Sequence, residues 1–391
     1  MELRRARSLM GYWVNGDLVL DDYLAATPED GEKQGIAVDG TAVELLNRFE
    51  EWTDPESVTR DFNGYDPASV AEAVESLVEA GLLRTKEDAA DEDLVLDKWS
   101  SWGPSARFFH FSTKDTAYIT RERAATDAEV AAWRVAARAE IEESGPPPEP
   151  FTRRPDAKRI RLTRAFLPLQ RDFGDVLLAR RTHRHFTTDE VPLRSFSTIL
   201  HYTFAPMHFI DAGVLGTLTL RTSPCGGARH ESECYIVVRN VESIPPGLYR
   251  YSQDDHSLEV VSQEFGDEEL NRIVFGQRMI TTAGFAVFLT LNVHRAMYKY
   301  RNARMLRTVL LDTGHLAQTF ALCTTAVGLG PSQNDAFRDT ELEAALGIDG
   351  VGETALYVLG AGVPARRADG LPMGDTPEDV ERQYAEGAKN L

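Results

Sequence analysis

The chain has 391 residues, of which 42% are hydrophobic and 26% are charged, so it is long enough for two or more globular domains. Its formal net charge of −19 argues against nucleic acid or an anionic membrane surface as a partner, because phosphate binding needs clustered cations. The three cysteines form no CxxC pair, and no segment approaches the roughly 20 apolar residues of a membrane span. We therefore predict a cytoplasmic protein without a membrane segment or a metal site.

The N-terminal region, residues 1–90, shows short elements of both kinds. A loose alternation over residues 13–20 predicts a strand, and apolar residues at helical intervals over 41–52 predict a helix. A second helix is marked by Asp66 as its N-cap, followed by proline, and by Gly81 at its end. Two short helices flanked by short strands are typical of a winged helix.

Winged helices often bind DNA, but the exposed positions of this second helix are acidic, at Glu72, Glu75 and Glu79. The charge therefore favours docking of a peptide or a partner protein over DNA binding. Plain packing within the chain is the alternative.

Residues 91–167 are predicted to connect this region to the main domain. The charged run at 85–93 predicts a linker, and the proline-rich GPPPEP at 145–150 predicts a second break, because proline cannot continue a helix. The intervening segment is rich in aromatic residues, which we expect to pack on the main domain. These residues are Trp99, Trp102, Phe108, Phe109 and Trp133.

The main domain, residues 168–368, mixes helices and strands, which predicts an α+β fold. A polar tail at 369–391 follows it. Helices are predicted at 172–180, 192–203, 267–276, 302–327 and 339–346, and strands at 233–239, 284–291 and 354–361. The stretches GLYRY and HSLEVV, joined by SQDD, predict a hairpin.

The longest of these helices follows a Lys-Tyr pair, Lys299 and Tyr300. Its apolar stripe predicts a buried central helix and comprises Leu306, Val309, Leu310, Thr313, Leu316, Ala317, Phe320, Ala321 and Thr324. Ionisable groups held against an interior suit general acid–base chemistry, because burial or a neighbouring charge shifts a pKa. A lysine that simply points into solvent is the alternative.

Two other loops offer groups that could bind a ligand. The first, ARRTHRHF at 179–186, places Arg180, Arg181, Thr182 and Arg184 at a helix end. Several guanidinium donors in one turn suit a phosphate or an anionic ring edge. An exposed basic turn is the alternative.

The second loop, TSPCGGARHESE at 222–233, contains Gly226 and Gly227, which allow its backbone to approach a ligand closely. It lacks the GxGxxG and GxxxxGK[ST] spacings, so neither a Rossmann nor a P-loop phosphate site is indicated. A structural turn is the alternative. Further along, GLGP at 328–331 permits a tight exit from the central helix. We interpret His315 and Gln318 as hydrogen-bonded core side chains, with a role as site residues as the alternative.

In this order, the segments resemble the FMN-dependent nitroreductase fold and, within it, the SagB-type azoline dehydrogenases of thiazole- and oxazole-containing peptide pathways. The matching stretches cover roughly residues 170 to 365 and are RRTHRHF, PCGGARHESECY, GLYRY, YKYR followed by LLDTGHLAQ, AVGLGP, and LGIDGVGETALYVLGAGVP. Ordered blocks are more specific than any one motif. The Lys-Tyr pair is characteristic of the azoline dehydrogenases rather than of nitroreductases at large.

The resemblance implies a homodimer, or a dimer inside a larger synthetase complex, with FMN at the subunit interface. The residues carried over as FMN contacts are Arg180, Arg181, Thr182 and Arg184 for the phosphate and ring, Pro224, Cys225, Gly226 and Gly227 along one edge, and Gly330 and Pro331 on the other side. Cys225 is a departure, because the family usually has serine there and a thiol donates a weaker hydrogen bond.

The implied activity converts a thiazoline or oxazoline in a ribosomally made precursor peptide to the aromatic ring. A Cα proton goes to Lys299 or Tyr300, and a hydride from Cβ goes to N5 of FMN, which oxygen reoxidises. The implied partners are the azoline-containing peptide and cyclodehydratase proteins. The alternatives are a generic NAD(P)H-dependent reductase of nitro compounds or quinones, a non-catalytic scaffold subunit and, more distantly, a DNA-binding regulator.

Overall fold

The computed structural model describes residues 1–25, 35–116, 126–143 and 145–366, together with residues 368 and 373. The chain divides into two compact units, Met1–Val130 and Ala131–Leu391. The finer division expected from the sequence, with boundaries near residues 90, 167 and 368, stays a prediction. Apart from residue 373, the tail at 369–391 lies outside the described residues.

The N-terminal unit contains two small antiparallel sheets, one ordered β2-β3-β4 and one formed by β1 and β5. Its strands are β1 (Arg4–Arg5), β2 (Leu9–Val14), β3 (Asp17–Asp22), β4 (Ile36–Val38) and β5 (Leu83–Arg84). Its helices are α1 (Gly40–Asn47), α2 (Pro55–Asp61), α3 (Pro67–Glu79), α4 (Ala90–Lys98) and α5 (Gly103–Ser112). A sixth helix, α6 (Asp127–Glu143), crosses the division between the units.

Local sequence explains several of these elements. The Asp66 carboxylate accepts hydrogen bonds from the backbone N–H groups of Ala68 and Ser69, as an N-cap should. Residues 13–20 form a hairpin rather than the single predicted strand. Asn15 and Gly16 have positive φ values of 50° and 98°, and such a pair reverses the chain between β2 and β3.

The segment that follows α3 also differs from expectation. Residues 85–93 include the start of α4, and the buried Glu92 carboxylate accepts from the backbone N–H groups of Arg7 at 2.6 Å and Ser8 at 2.8 Å. The rings of Phe108 and Phe111 contact Tyr23, at centroid distances of 6.2 and 6.5 Å. Two aromatic residues of α5 therefore pack within the N-terminal unit, and the expected packing of the aromatic segment on the main domain stays a prediction.

The second unit is built on a seven-stranded antiparallel sheet ordered β13-β14-β12-β9-β10-β11-β6, which confirms the predicted α+β fold. Its strands are β6 (Arg159–Arg161), β9 (Ser232–Val238), β10 (Gly247–Ser252), β11 (Ser257–Ser262), β12 (Phe285–Asn292), β13 (Gly330–Asn334) and β14 (Glu353–Gly362). A separate hairpin contains β7 (His208–Asp211) and β8 (Thr217–Leu220).

Helices cover both faces of this sheet. They are α7 (Phe173–Ala179), α8 (Leu193–Phe204), α9 (Asp267–Ile273), α10 (Arg278–Thr281), α11 (Val293–Met297), α12 (Met305–Ala326) and α13 (Asp339–Leu346). Side chains of β9 alternate between two apolar cores: Ile236 packs with residues of α8 and α12, whereas Val237 packs with residues of α9 and α13. None of the helices in the described part of the chain is long and apolar enough to cross a lipid bilayer.

The central helix α12 is buried along one face through Val309, Leu316 and Phe320. The predicted stripe was wrong at Leu306 and Leu310, whose side chains are exposed. His315 and Gln318 are also exposed rather than buried. Helical periodicity detects apolar positions but does not tell an inward face from an outward one when both carry leucine.

Candidate functional site

Lys299 and Tyr300 lie in the loop between α11 and α12, and both side chains are half-buried. The Lys299 Nζ lies 4.9 Å from the centroid of the Tyr300 ring, within the range of a cation–π contact. The loop is held on either side of the pair. The hydroxyl of buried Tyr298 donates to the Gly145 carbonyl at 3.0 Å, and Arg301 forms a 3.0 Å ion pair with a glutamate of α6.

The glycine loop, residues 223–228, lies directly against this Lys-Tyr pair. Gly227 has a left-handed backbone with a φ of 66°. A Cβ at Gly227 would overlap the Tyr300 hydroxyl oxygen and would lie 3.1 Å from Lys299 Nζ. The structure therefore brings together two segments that are more than 70 residues apart in the sequence, and the missing side chain makes room for the phenol.

Within the glycine loop, the Cys225 thiol is enclosed by protein groups. Its Sγ accepts a hydrogen bond from the His230 backbone N–H at 3.1 Å and lies 3.4 Å from a carboxylate oxygen of Glu231. Burial, reinforced by the carboxylates of Glu231 and Asp312, raises the pKa of this thiol well above its usual range. The thiol is therefore neutral and a poor nucleophile.

Glu231 and Asp312 form a buried acidic pair beneath the loop. Together with the sulfur of Cys225 they place ligand-type atoms within 4.8 Å of one another. Burial raises the pKa of Glu231. No motif in the sequence marks either acid as a site residue. The available signal for Asp312 is its position three residues after Val309 and four before Leu316, on the buried face of α12.

The arginine turn, residues 180–184, follows α7 and contacts the strand after α12. The His183 N–H donates to the Pro331 carbonyl at 2.8 Å, and a Cβ at Gly330 would lie 2.7 Å from Cγ of the His183 ring. The structure therefore brings the predicted arginine turn and the predicted Gly330–Pro331 contact together. The Arg181 guanidinium donates to the carbonyl of Leu178 in α7 at 2.9 Å and to the carbonyl of Arg180 at 2.8 Å.

A buried ionic network supports the site from within the sheet. Glu233 accepts from Arg250 and from Arg295, each at 2.7 Å, and all three side chains are almost fully buried. Burial alone would raise the pKa of Glu233, but the two guanidinium groups outweigh it and lower the pKa to about 2. Arg295 also donates to the His230 carbonyl at 3.1 Å, which ties α11 to the end of the glycine loop.

Comparison with protein families matches residues 177–363 to the nitroreductase family. MJ1384 of Methanocaldococcus jannaschii, whose name places it among the nitroreductases, is 32% identical over 174 residues, which cover 44% of this chain and 83% of MJ1384. The trifolitoxin-processing protein TfxB of Rhizobium leguminosarum bv. trifolii is 26% identical over 174 residues, covering 43% of this chain and 46% of TfxB. The trifolitoxin operon protein TfxC of the same organism is 23% identical over 312 residues, covering 76% of this chain and 82% of TfxC.

The region matched by the family contains the arginine turn, the glycine loop and the Lys-Tyr pair. Nitroreductase-family proteins typically bind a flavin, FMN. The similarity to MJ1384 extends over most of that protein. The chain belongs to the nitroreductase family.

Proposed function

We propose that the protein is an FMN-dependent dehydrogenase that oxidises thiazoline or oxazoline rings in a ribosomally made precursor peptide to thiazoles or oxazoles. The observation that carries the proposal is the packing of Lys299 and Tyr300 against Gly227. A reductase of nitro compounds needs a flavin and a reductant, whereas ring aromatisation also needs a base for the Cα proton. A Lys-Tyr pair beside a glycine loop supplies such a base.

The residues present fit a flavin. A turn with three arginines suits a phosphate, because guanidinium groups pair with phosphate oxygens in bidentate geometry. On the proposed assignment, the flavin phosphate and ring are held by Arg180, Arg181, Thr182 and Arg184, with Gly330 and Pro331 beside these residues. The other edge of the flavin is lined by Pro224, Cys225, Gly226 and Gly227. When bound, FMN supplies the acceptor for two electrons.

In this mechanism the protein positions the ring and removes one proton. Either Nζ of Lys299 or the hydroxyl oxygen of Tyr300 takes the proton from Cα of the azoline. Nζ of Lys299 lies 4.9 Å from the centroid of the Tyr300 ring, so both candidate bases lie at the same place. The bare backbone of Gly227 leaves room for the phenol to approach the substrate.

The named relatives support a peptide substrate. TfxB is described as a trifolitoxin-processing protein, and TfxC belongs to the trifolitoxin operon. The match to TfxB spans about half of that protein, so the activity of the whole relative is carried over only as a proposal. We infer that the chain works with cyclodehydratase partners and that its N-terminal unit docks the precursor peptide or one of those partners.

We also propose a homodimer that places the flavin at the subunit interface. Leucines on two helices support it, because they leave apolar side chains on the surface of the second unit, and such patches mark protein interfaces. These are Leu177 and Leu178 on α7, which are 46% and 76% exposed, and Leu306, Leu310 and Leu311 on α12, which are 42%, 50% and 64% exposed.

The test compares the wild type with Lys299→Ala and Tyr300→Phe. The purified wild type is expected to be yellow with stoichiometric FMN, and an azoline peptide should lose two hydrogens per ring by mass spectrometry. Both variants should keep FMN and lose azole formation, because they retain the loop and the arginine turn but lack part of the base. Normal turnover in both variants would refute the assigned roles.

A generic flavin reductase is the second candidate, favoured by the similarity to MJ1384. It would use NAD(P)H, which the dehydrogenation does not need. Rapid bleaching of the flavin absorption by NADPH, without conversion of an azoline peptide, would support this candidate.

A further inference from the structure

One face of α12 contacts the glycine loop through several side chains. Asp312 accepts a hydrogen bond from the Gly226 backbone N–H at 2.8 Å, and the hydroxyls of Thr319 and Ser223 are 2.6 Å apart. A Cβ at Gly226 would lie 2.5 Å from the Thr308 methyl group. Positions 308, 312 and 319 lie on the same side of a helix, so a single face of α12 holds the loop.

Asp312 is the charged member of this face. Its side chain is buried, and its second carboxylate oxygen lies 3.5 Å from Nδ1 of His315, one turn further along the helix. A hydrogen bond from a backbone N–H to a buried carboxylate is charge-assisted, and it is stronger than one between neutral groups. The Gly226 amide therefore has a fixed partner within the protein.

The position of Gly226 determines the position of Gly227. The Ala228 N–H donates to the Cys225 carbonyl at 3.1 Å, which closes a tight turn around the two glycines. On this turn Gly227 adopts its left-handed conformation and faces Tyr300 and Lys299. A shift of the Gly226 amide would therefore displace the surface on which the Lys-Tyr pair rests.

We propose that Asp312 is a positioning residue for the Lys-Tyr pair: its carboxylate holds the Gly226 N–H and thereby fixes the turn against which Tyr300 and Lys299 pack. It acts through the loop and does not touch the substrate. The Gly226 N–H accordingly donates to Asp312 and is not assigned as a donor to the flavin. The inference rests on the proposed dehydrogenase function for its kinetic readout only.

The experiment compares Asp312→Ala and Asp312→Asn in the full chain. Hydrogen–deuterium exchange, resolved to single amides, should show faster exchange at Gly226 in Asp312→Ala. It should show a much smaller change in Asp312→Asn, because the asparagine oxygen can still accept the bond. With an azoline peptide, Asp312→Ala should lower kcat about 100-fold with little change in KM, as expected for a small misplacement of reacting groups. Asp312→Asn should stay within about threefold of wild type.

The matched control is Thr313→Ala, which removes a buried hydroxyl from the same helix. Among the described residues, that hydroxyl donates to the Val309 carbonyl of α12, at 2.8 Å. Thr313→Ala should change neither exchange at Gly226 nor kcat. If Asp312→Ala fails to fold, Asp312→Ser is used instead, because the serine side chain is too short for its hydroxyl to reach the Gly226 N–H. Wild-type exchange at Gly226 in Asp312→Ala would overturn the proposal. A loss of kcat in Asp312→Asn as large as that in Asp312→Ala would also overturn it.

A wild-type protein that binds FMN but converts no azoline would defeat the proposed function alone. The exchange measurement would still decide the role of Asp312, because it requires no substrate.

Discussion

Gly227 meets two structural requirements at one position. Its φ of 66° lies in the left-handed region, where side chains are strained, and the space beside it is filled by the Tyr300 phenol. Gly347 has a similar φ of 71°, but a Cβ there would meet nothing within 4 Å. Substitutions at the two glycines therefore distinguish the effect of backbone strain, which both positions share, from the effect of steric contact with the Lys-Tyr pair, which occurs at Gly227 alone of the two.

We predict that Gly227→Ala and Gly347→Ala each lower the free energy of unfolding by about 1 kcal/mol through backbone strain. Only Gly227→Ala should also lower kcat for azoline oxidation, by about 100-fold, because the new Cβ displaces Tyr300. Urea unfolding and steady-state kinetics on both variants test this expectation. Equal kcat values in the two variants would show that Gly227 has no steric role.

At the residue scale, the sequence predicted the groups that lie in loops but not their support. Lys299 and Tyr300 stand out because they precede an apolar helix, and Gly226 and Gly227 stand out because glycines let a backbone approach another group closely. Asp312 does not stand out, since a single acid within LLDTGHLAQ also suits an exposed position. Its role depends on a contact with Gly226, 86 residues away, which no local pattern encodes.

At the scale of elements, α12 has apolar side chains on two sides. The inner side packs into the core through Val309, Leu316 and Phe320, while Leu310 and Leu311 remain exposed. An apolar surface of this kind is stabilised by covering it, and a second copy of the same helix is the partner that a symmetric dimer supplies.

We predict that Leu311→Glu converts the proposed dimer to a monomer, because a charge buried in an apolar interface is costly. Val351→Glu is the matched control, since Val351 is 78% exposed in the same unit but lies outside α7 and α12. Light scattering after gel filtration should give the monomer mass for the first variant and the dimer mass for the second. The idea fails if both variants keep the wild-type mass, whatever that mass is.

Elements with strong local signals agree with the sequence expectation. The last predicted helix matches α13 at residues 339–346, and GLYRY and HSLEVV form the β10–β11 hairpin. β13 at Gly330–Asn334 carries no alternation of apolar residues and was not among the predicted strands. It is a strand because β14 pairs with it along the edge of the sheet, and such pairing depends on tertiary contacts.

At the scale of the whole molecule, three buried histidines make stability depend on pH. Burial is the largest cause in each case, and it lowers the pKa of His183 and His256 to about 4 and that of His230 to about 3. In the unfolded chain a histidine has a pKa near 6.5. Between about pH 6.5 and 4 the unfolded state therefore binds protons that the folded state does not bind, and stability is lost as the pH falls.

We predict that the free energy of unfolding falls steadily from pH 7 to pH 4.5. A difference of two and a half pKa units corresponds to about 3 kcal/mol for one histidine once the titration is complete. Glu233, with its pKa lowered to about 2, adds a further loss below about pH 4.5. Urea unfolding across this range measures the slope.

Replacing His183 with asparagine should flatten that slope, because one of the three buried imidazoles is removed. His294→Gln, at an exposed histidine, is the substitution control. A stability that is constant between pH 7 and pH 4.5 would contradict the expectation.

The enclosed thiol of Cys225 has a chemical consequence for the proposed reaction. If oxygen were the final electron acceptor of that reaction, it would be reduced to hydrogen peroxide, which converts thiolates to sulfenic acids. The raised pKa keeps this sulfur protonated, and the pKa of Cys323 is likewise raised, to about 11. A cysteine at this position would therefore resist oxidation by peroxide formed in the proposed reaction.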